Sequence, residues 1–388
     1  MKRIASIDIF RALTMLTMLF VNDFAGMSGI PQWLHHAATQ EDRLGFSDLV
    51  FPAFLFCVGL SIPMAIGNRF RKGNSQLQVM GHILLRTLAL VVMGIFAMNF
   101  RGVEGGLSRP VFTLLAVAGF FLIWNAYPRR SDGRNPVWVR ILQAAGIALL
   151  AFLVIYKDLH GMPFRHGWWG ILGLIGWAYL PCALVFLFLH GDLRKVIGFW
   201  LLTLLLCVLN ASRAIPGDYA SRALILGFWP GGWAHPAICA SGMVIAMLLL
   251  HFEEKPRKLG GLYLGLAAAM LLLGFVSHRF WIISKNLATP TWAFFCLALS
   301  IAFFALLWWL CDWKGYTRWS RPVSPAGTAT LTCYIIPTIW YAVQQLLGLH
   351  WPAALTDGIP GLLKALAFSF VIIGLTWLFG KIHLKLKL

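Results

Sequence analysis

Residues 6–23 read SIDIFRALTMLTMLFVND and, after a polar loop, residues 46–62 read FSDLVFPAFLFCVGLSI. Apolar runs of about 20 residues, long enough to cross a hydrocarbon core of roughly 30 Å, recur along the whole chain. Of the 388 residues, 59% are hydrophobic and only 12% are charged. This composition excludes a soluble protein and predicts an all-α polytopic membrane protein.

The apolar runs predict about twelve transmembrane helices, with the N- and C-termini in the cytoplasm. Most Lys and Arg residues then lie on the cytoplasmic side, as the positive-inside rule requires. The formal charge of +18 therefore indicates membrane orientation, and we expect no nucleic-acid partner. We expect spans near 5–22, 46–66, 81–99, 108–127, 137–156, 168–190, 193–211, 232–251, 259–277, 290–311, 327–348 and 359–380.

The chain is expected to form a single transmembrane domain over residues 1–388. The first apolar run contains Asp8 and Arg11 and no small-residue cleavage site follows it, which favours a retained helix over a signal peptide. The longest loops, at 23–45 and 212–231, both lie outside in this topology. The seven cysteines show no metal-ligand spacing, so we expect buried thiols and no metal site.

The polar loop at residues 23–45 is where we expect the chemistry. Polar groups at the mouth of a membrane helix are costly to place there, so they are functional candidates. His36 could take a proton from an amine or hydroxyl near neutral pH, and Asp48 could orient its imidazole. Asn22, at the end of the first helix, could donate to a reacting carbonyl oxygen. Each has a structural alternative: an interfacial histidine, an N-cap for Asp48 and a C-cap for Asn22.

Further polar residues extend this group on the outer side. They are Asp23, Glu41 and Asp42 in the same loop, and Lys285 and Asn286 in a late outside loop. A lysine on the outside works against the positive-inside rule, which makes Lys285 informative.

Two arginines lie in or near the spans. Arg86 lies inside the third span, where it needs a partner or a water-filled cavity. Arg11 is three residues from Asp8, so the two share one helix face and can pair. An interfacial ion pair and a cytoplasmic anion site both stay open for Arg11.

At these residues the chain resembles a known family, the heparan-α-glucosaminide N-acetyltransferases and their bacterial relatives within the transmembrane acyltransferases. The similarity is close over the first hundred residues or so and returns near 284–345. The segments that carry it are SIDIFRALTMLTMLFVND (6–23), WLHHA (33–37), FSDLVFPAFLFCVGLSI (46–62), SKNLATPTW (284–292) and LCDWK (310–314).

The resemblance implies an enzyme of the bacterial inner membrane that transfers acetyl groups across it. Acetyl-CoA, the donor, would bind on the cytoplasmic side, and a glucosamine-like sugar or glycan would accept the acetyl group by N- or O-acetylation. The family's essential histidine precedes an alanine and maps onto His36, and its asparagine maps onto Asn22. The implied partners are the bilayer, acetyl-CoA and the sugar, with no metal; a homodimer is left open.

On this interpretation the remaining candidates have assigned roles. Asp23, Glu41, Asp42, Lys285 and Asn286 would contact the acceptor, and Arg11 and Arg86 would hold the CoA phosphates.

Two other classes of protein stay open. A secondary transporter of sugars or their derivatives would place polar groups near the bilayer midplane rather than at one mouth. A catalytically inactive relative would act as a membrane partner.

Overall fold

The computed structural model of the protein describes residues 4–128, 135–212, 230 and 232–388, and their regular structure is helical. The outside loop expected at 212–231 lies almost wholly outside the described residues. Within them the long helices are α1 (Ala5–Phe24), α2 (Ser47–Arg71), α3 (Gln76–Met98), α4 (Arg109–Trp124), α5 (Val137–Leu159), α6 (Gly170–Phe188), α7 (Leu193–Ala211), α8 (Ala234–His251), α9 (Pro256–Ser277), α10 (Pro290–Leu307), α11 (Thr330–Leu346) and α12 (Gly358–Lys381).

The protein is an all-α polytopic membrane protein, as the sequence predicts. In the described part of the chain, ten helices are long and apolar enough to cross a bilayer; α10 counts among them together with the π-helical turn Trp308–Trp313 that continues it. Helices α4 and α11, with 16 and 17 residues, also coincide with expected spans. The count of twelve spans and the cytoplasmic position of both termini stay predictions.

The residues divide into two compact units, each assembled from separate stretches of chain. The first unit comprises Met1–Thr14, Pro31–Val91 and Ile171–Arg321. The second comprises Met15–Ile30, Val92–Gly170 and Pro322–Leu388. The expectation of a single domain over 1–388 stays a prediction.

In the first unit, α2 and α8 cross at very short distance because both carry glycine at the crossing. A methyl group on Gly59 would collide with the backbone carbonyl of Cys239, and one on Gly242 would collide with that of Phe56. Membrane helices associate through close packing of this kind, since lipid tails are as apolar as the side chains. The crossing sets the position of the N-terminal end of α2, where Asp48 lies.

The LCDWK segment (310–314) also has a structural role in the first unit. Asp312 lies in the π-helical turn after α10, and its Oδ1 accepts hydrogen bonds from the backbone N–H groups of Ala5 (2.9 Å) and Ser6 (3.3 Å). Those groups begin α1 and have no partner within the helix, so an external carboxylate caps it.

In the second unit, α4 packs on α5 through Gly119 and Gly146. The C-terminal tail runs back along the end of α4: the Ala126 N–H donates to the Lys385 carbonyl (2.8 Å), and the Lys387 N–H donates to that of Trp124 (2.9 Å). Because the tail supplies these bonds, the last residues after α12 are fixed to the helical bundle of this unit.

Candidate active site

A histidine–carboxylate pair lies at the N-terminal end of α2 in the first unit. His36 Nδ1 is 2.6 Å from Asp48 Oδ1, and the Asp48 side chain is 2% exposed while that of His36 is 44% exposed. A carboxylate can only accept, so Nδ1 carries the hydrogen and donates it to Asp48. Nε2 makes no hydrogen bond to any residue the structure describes, and it therefore presents a lone pair to an incoming group.

The Asp48 carboxylate is held by the loop that it orders. Its Oδ2 accepts hydrogen bonds from the backbone N–H groups of Ala37 (3.0 Å) and Gly45 (3.2 Å). Asp48 is the second residue of α2, whose N-cap is Phe46, so the carboxylate binds the preceding loop rather than capping the helix. A methyl group on Gly45 would collide with the His35 carbonyl, which makes glycine necessary at this position.

Lys285 lies beside this pair. Its Nζ is 3.4 Å from His36 Nδ1. Because Nδ1 already donates to Asp48, the lysine acts on the pair through its charge rather than as a second hydrogen-bond partner. Burial lowers the pKa of Lys285, against the opposing attraction of the Asp48 carboxylate. The Lys285 amino group is thus within reach of the imidazole.

The loop that carries Lys285 is fastened to the His36 loop through Thr39. The Ser284 hydroxyl donates to the Thr39 carbonyl (2.8 Å), and the Asn286 amide donates to the Thr39 hydroxyl (3.1 Å). Two segments far apart in the chain therefore form one polar surface. Asn286, predicted to bind substrate, makes this inter-loop contact, and its substrate role stays a prediction.

Asp42 makes a second contact between the same loops. Its Oδ1 accepts the Ile283 N–H (2.8 Å), and its Oδ2 lies 2.8 Å from His278 Nε2. The Ile283 hydrogen bond, followed by His278, lowers the pKa of Asp42. Asp42 thus connects the two loops, and its predicted contact with the acceptor stays a prediction.

Glu41 pairs with Arg43 at the exposed end of this surface. Glu41 Oε1 is 2.7 Å from Arg43 Nε, and its Oε2 accepts the Ala38 N–H (3.0 Å). These hydrogen bonds lower the pKa of Glu41 to about 2, so the carboxylate is charged at any physiological pH. It could still face an ammonium group from its exposed side, as predicted.

Asn22 and Asp23 belong to the second unit. Asn22 is exposed near the C-terminal end of α1. Asp23 accepts hydrogen bonds from the Lys364 ammonium (2.6 Å) and the Tyr341 hydroxyl (2.5 Å), and its side chain is only 4% exposed. The oxyanion role of Asn22 and the substrate role of Asp23 stay predictions.

The two arginines predicted to bind CoA lie in the first unit. Arg11 is 3.4 Å from Asp8 and donates to the Ser61 hydroxyl at 2.6 Å. Arg86, on α3, has its guanidinium carbon 4.8 Å from the centre of the Tyr179 ring, and its buried Nε makes no hydrogen bond. An unsatisfied buried donor of this kind would gain from an anionic ligand.

Sequence reasoning missed two residues beneath the pair. The fully buried Trp292 donates from its indole to the Asp48 backbone carbonyl (3.2 Å). His235, on α8, packs edge-on against Phe51 and Trp292, and its buried Nδ1 has no hydrogen-bond partner. The available signals were weak: a Trp inside the 284–292 segment, and a histidine inside an apolar run.

Comparison with known proteins identifies relatives of this chain. Residues 3–238 match the family described as Domain of unknown function (DUF5009). The chain is similar to the heparan-alpha-glucosaminide N-acetyltransferase of Mus musculus, with 31% identity over 198 residues, 45% of this chain and 29% of that protein. It is also similar to the Homo sapiens protein of the same name, with 33% identity over 106 residues, 27% of this chain and 15% of that protein. The matches thus span less than a third of either relative, and the resemblance drawn from the sequence is confirmed.

Proposed function

The chain belongs to the DUF5009 family and is a divergent relative of the heparan-alpha-glucosaminide N-acetyltransferases, and from this we propose that it is a membrane acetyltransferase. Acetyl-CoA on the cytoplasmic side is the donor, and the acceptor is an extracytoplasmic amino sugar or glycan of the glucosamine type. The enzyme acts in the bacterial inner membrane, and a homodimer is compatible with this function.

The observation that carries the proposal is the His36–Asp48 pair. A buried carboxylate fixes the tautomer and orientation of an exposed imidazole, and the opposite ring nitrogen has no partner among the described residues. General bases in acyl transfer need this arrangement: an orienting group on one nitrogen and an open lone pair on the other. An ion-coupled transporter would be expected to hold such groups near the bilayer midplane instead.

The reaction follows from that geometry. The acceptor amine attacks the thioester carbonyl, a C–N bond forms, and His36 Nε2 takes the proton that the amine loses. The C–S bond then breaks, the electron pair leaves with the CoA sulfur, and the proton on His36 passes to that sulfur or to water. Asp48 stabilises the imidazolium between these two steps.

Charge that develops on the carbonyl oxygen requires a donor. Asn22 is proposed as the amide donor, as in the related family, and Lys285 is proposed to add a positive charge beside the His36 imidazole. The carboxylates Asp23, Glu41 and Asp42, with Asn286, are proposed to attract and orient the amino sugar. Arg11 and Arg86 are proposed to bind the CoA phosphates, for which the unpartnered Arg86 Nε is the supporting feature.

The test is acetyl transfer from labelled acetyl-CoA to glucosamine by the purified protein in lipid vesicles. We expect His36→Ala to lower the rate by about 10²–10⁴-fold, the range for loss of a general base. His35→Ala is the matched control and should retain most of the activity, because among the described residues the Asp48 carboxylate contacts the side chain of His36 and not that of His35.

The outcomes separate the remaining classes. Transfer that survives His36→Ala would remove His36 from the mechanism. Saturable acetyl-CoA binding without transfer to glucosamine would keep the enzyme class and direct the search to other acceptors, including hydroxyl groups. If the protein shows no acetyl transfer and no acetyl-CoA binding, the proposal is contradicted, and a transporter or an inactive relative is favoured.

A further inference from the structure

A second candidate site lies in the second unit. A groove with a volume of about 340 Å³ runs between α11 and α12 and is closed at one end by the loop after α11. Ligand pockets commonly have volumes of this order. In the described part of the chain its lining contains no Asp, Glu, Lys or Arg.

The groove is amphipathic along its length. Gln344, His350 and Trp351 lie together at the loop end, on the side predicted to be extracytoplasmic. The other end is lined by Leu375 and Phe379 of α12. A ligand that fits this distribution has a polar head at one end and a hydrocarbon chain along the rest.

The two ends of the groove lie far apart along α12. Trp351 lies beside Lys364, whose ammonium is 5.6 Å from the centre of the indole ring, and Phe379 is four helical turns further along α12. At 1.5 Å per residue, the rise of the helix from Lys364 to Phe379 is about 22 Å. A ligand that contacts both Trp351 and Phe379 therefore needs an extended chain.

The polar end favours a sugar over a phosphate. Lys364, the cation nearest to it, is already paired with Asp23 at 2.6 Å, so no uncompensated positive charge is provided for an anion. An indole face, an amide and an imidazole are instead groups that pack against and hydrogen-bond hydroxylated rings. The indole nitrogen of Trp340, which also lines the groove, is buried and has no hydrogen-bond partner among the residues that the structure describes, which leaves one further donor for such a ligand.

From these features we propose that the groove binds a glycolipid, with its chain between α11 and α12 and its sugar at Gln344, His350 and Trp351. This inference rests on the proposed function, since it specifies the amino-sugar acceptor as lipid-linked. The glycan would then be presented at the membrane surface by its own anchor.

Binding can be measured without catalysis. The probe is hexadecyl glucosaminide carrying a photoreactive group in its chain, added to the full-length protein in lipid nanodiscs. We expect cross-links within residues 336–351 and 375–379. Leu375→Trp fills the groove and should lower labelling at least tenfold, whereas Leu378→Trp, on the same helix outside the groove, should not.

Competition tests the polar end. Unlabelled hexadecyl glucosaminide should displace the probe at least tenfold better than phosphatidylglycerol. His350→Ala should reduce that preference, while His160→Ala, in another exposed segment, should leave it unchanged. Equal labelling of Leu375→Trp and Leu378→Trp, or displacement of the probe by phosphatidylglycerol as effective as that by hexadecyl glucosaminide, would show that the groove holds only bulk lipid. Either result overturns the proposal.

Kinetics separates this proposal from the proposed function. With an active enzyme, the KM for hexadecyl glucosaminide should be at least tenfold below that for methyl glucosaminide, and Leu375→Trp should remove the difference without changing kcat. Acetyl transfer whose KM does not depend on the length of the acceptor's alkyl chain overturns the proposal that the groove binds a glycolipid, and leaves the proposed acetyltransferase function intact. Specific labelling without transfer to any acceptor supports the groove and contradicts the acetyltransferase.

Discussion

Asp48 and Asp23 are both buried carboxylates near the ends of the 23–45 loop, and they are used in opposite ways. In the first unit, the Asp48 side chain is 2% exposed, and its carboxylate accepts a hydrogen bond from the His36 imidazole. That imidazole is 44% exposed, and its Nε2 has no partner among the described residues. In the second unit, Asp23 is 4% exposed and is enclosed by Lys364, itself 10% exposed, and by Tyr341.

The difference lies in the partner rather than in the carboxylate. A buried carboxylate needs compensation in either case, because burying it unpaired is costly. Where the compensating charge is a lysine that is itself only 10% exposed, the charge is neutralised and contributes to structure. Where the compensating group is an exposed histidine, the carboxylate orients the imidazole, which a ligand can contact.

The largest effect is expected from Asp48→Asn. An amide can donate to His36 Nδ1 and would then stabilise the tautomer with the hydrogen on Nε2, which cannot accept a proton. We expect acetyl transfer to fall by about 10²–10⁴-fold. Asp23→Asn is the comparison: because Asp23 is proposed to contact the acceptor, this variant should act mainly on KM, and kcat per folded molecule should stay within a few-fold of wild type. Equal losses in the two variants would remove the distinction between the carboxylates.

The next effect is expected at the enclosed carboxylate. Lys364→Met leaves Asp23 buried without its counter-charge and should lower the free energy of unfolding by about 3–5 kcal/mol. The double variant Asp23→Asn with Lys364→Met removes both charges and should recover most of that loss. Thermal unfolding in detergent measures this, with Lys381→Met, an exposed lysine of α12, as control. A single variant as stable as the double would show that the pair is not structural.

A smaller effect is expected from Gly45→Ala. The added methyl group collides with the His35 carbonyl and approaches the Asp48 carboxylate, so the loop must shift. We expect a cost of about 1–3 kcal/mol, as for other overpacked sites, with reduced acetyl transfer. Gly67→Ala, at a position in α2 with open space around it, is the control and should be neutral. Full activity in Gly45→Ala would mean that loop geometry does not govern His36.

The smallest effect concerns the contact between the two outer loops. The folded-state pKa of Asp42 is depressed, so its contribution is fully present above the unfolded value near pH 4 and is lost as the pH falls through the folded value. The group is exposed, so we expect less than about 1 kcal/mol. The protection of the Ile283 amide from hydrogen exchange, taken relative to the intrinsic exchange rate at each pH, should decrease on acidification, and Asp42→Asn should reduce that dependence.

Asp158→Asn provides the comparison for this measurement, because Asp158 is exposed and its carboxylate makes none of the inter-loop hydrogen bonds. Acid-dependent exchange at Ile283 that is the same in Asp42→Asn and wild type would exclude Asp42 as its source.

Much of the fold could be predicted because its determinants are local. Each membrane span is an apolar run whose length and composition alone favour a helix in lipid, where backbone groups must be satisfied within the segment. Helices α2 and α10 begin within one residue of the expected boundaries at 46 and 290. The cap of α1 by Asp312 could not be predicted, because it joins the two ends of a stretch of more than 300 residues.

The site shows the same division between local and distant information. Residue chemistry predicted that Asp48 could orient the imidazole of His36, the family resemblance selected His36 over His35, and the structure places His36 Nδ1 2.6 Å from Asp48 Oδ1. Lys285 was singled out for its unusual side of the membrane, but its position 3.4 Å from the imidazole depends on contacts at Thr39 and Asp42. Trp292 and His235 lacked a distinguishing signal, because buried aromatic side chains are common in membrane helices.

Sequence alone determined that this chain is a helical membrane protein and which short polar segment is the candidate for its chemistry. Hydropathy and residue chemistry are properties of each segment and need no knowledge of its neighbours. Tertiary structure decided which of two similar carboxylates contacts an exposed histidine and which pairs with a lysine. That choice depends on burial and on partners 12 residues away for Asp48 but 341 away for Asp23, and only packing brings such distant groups together.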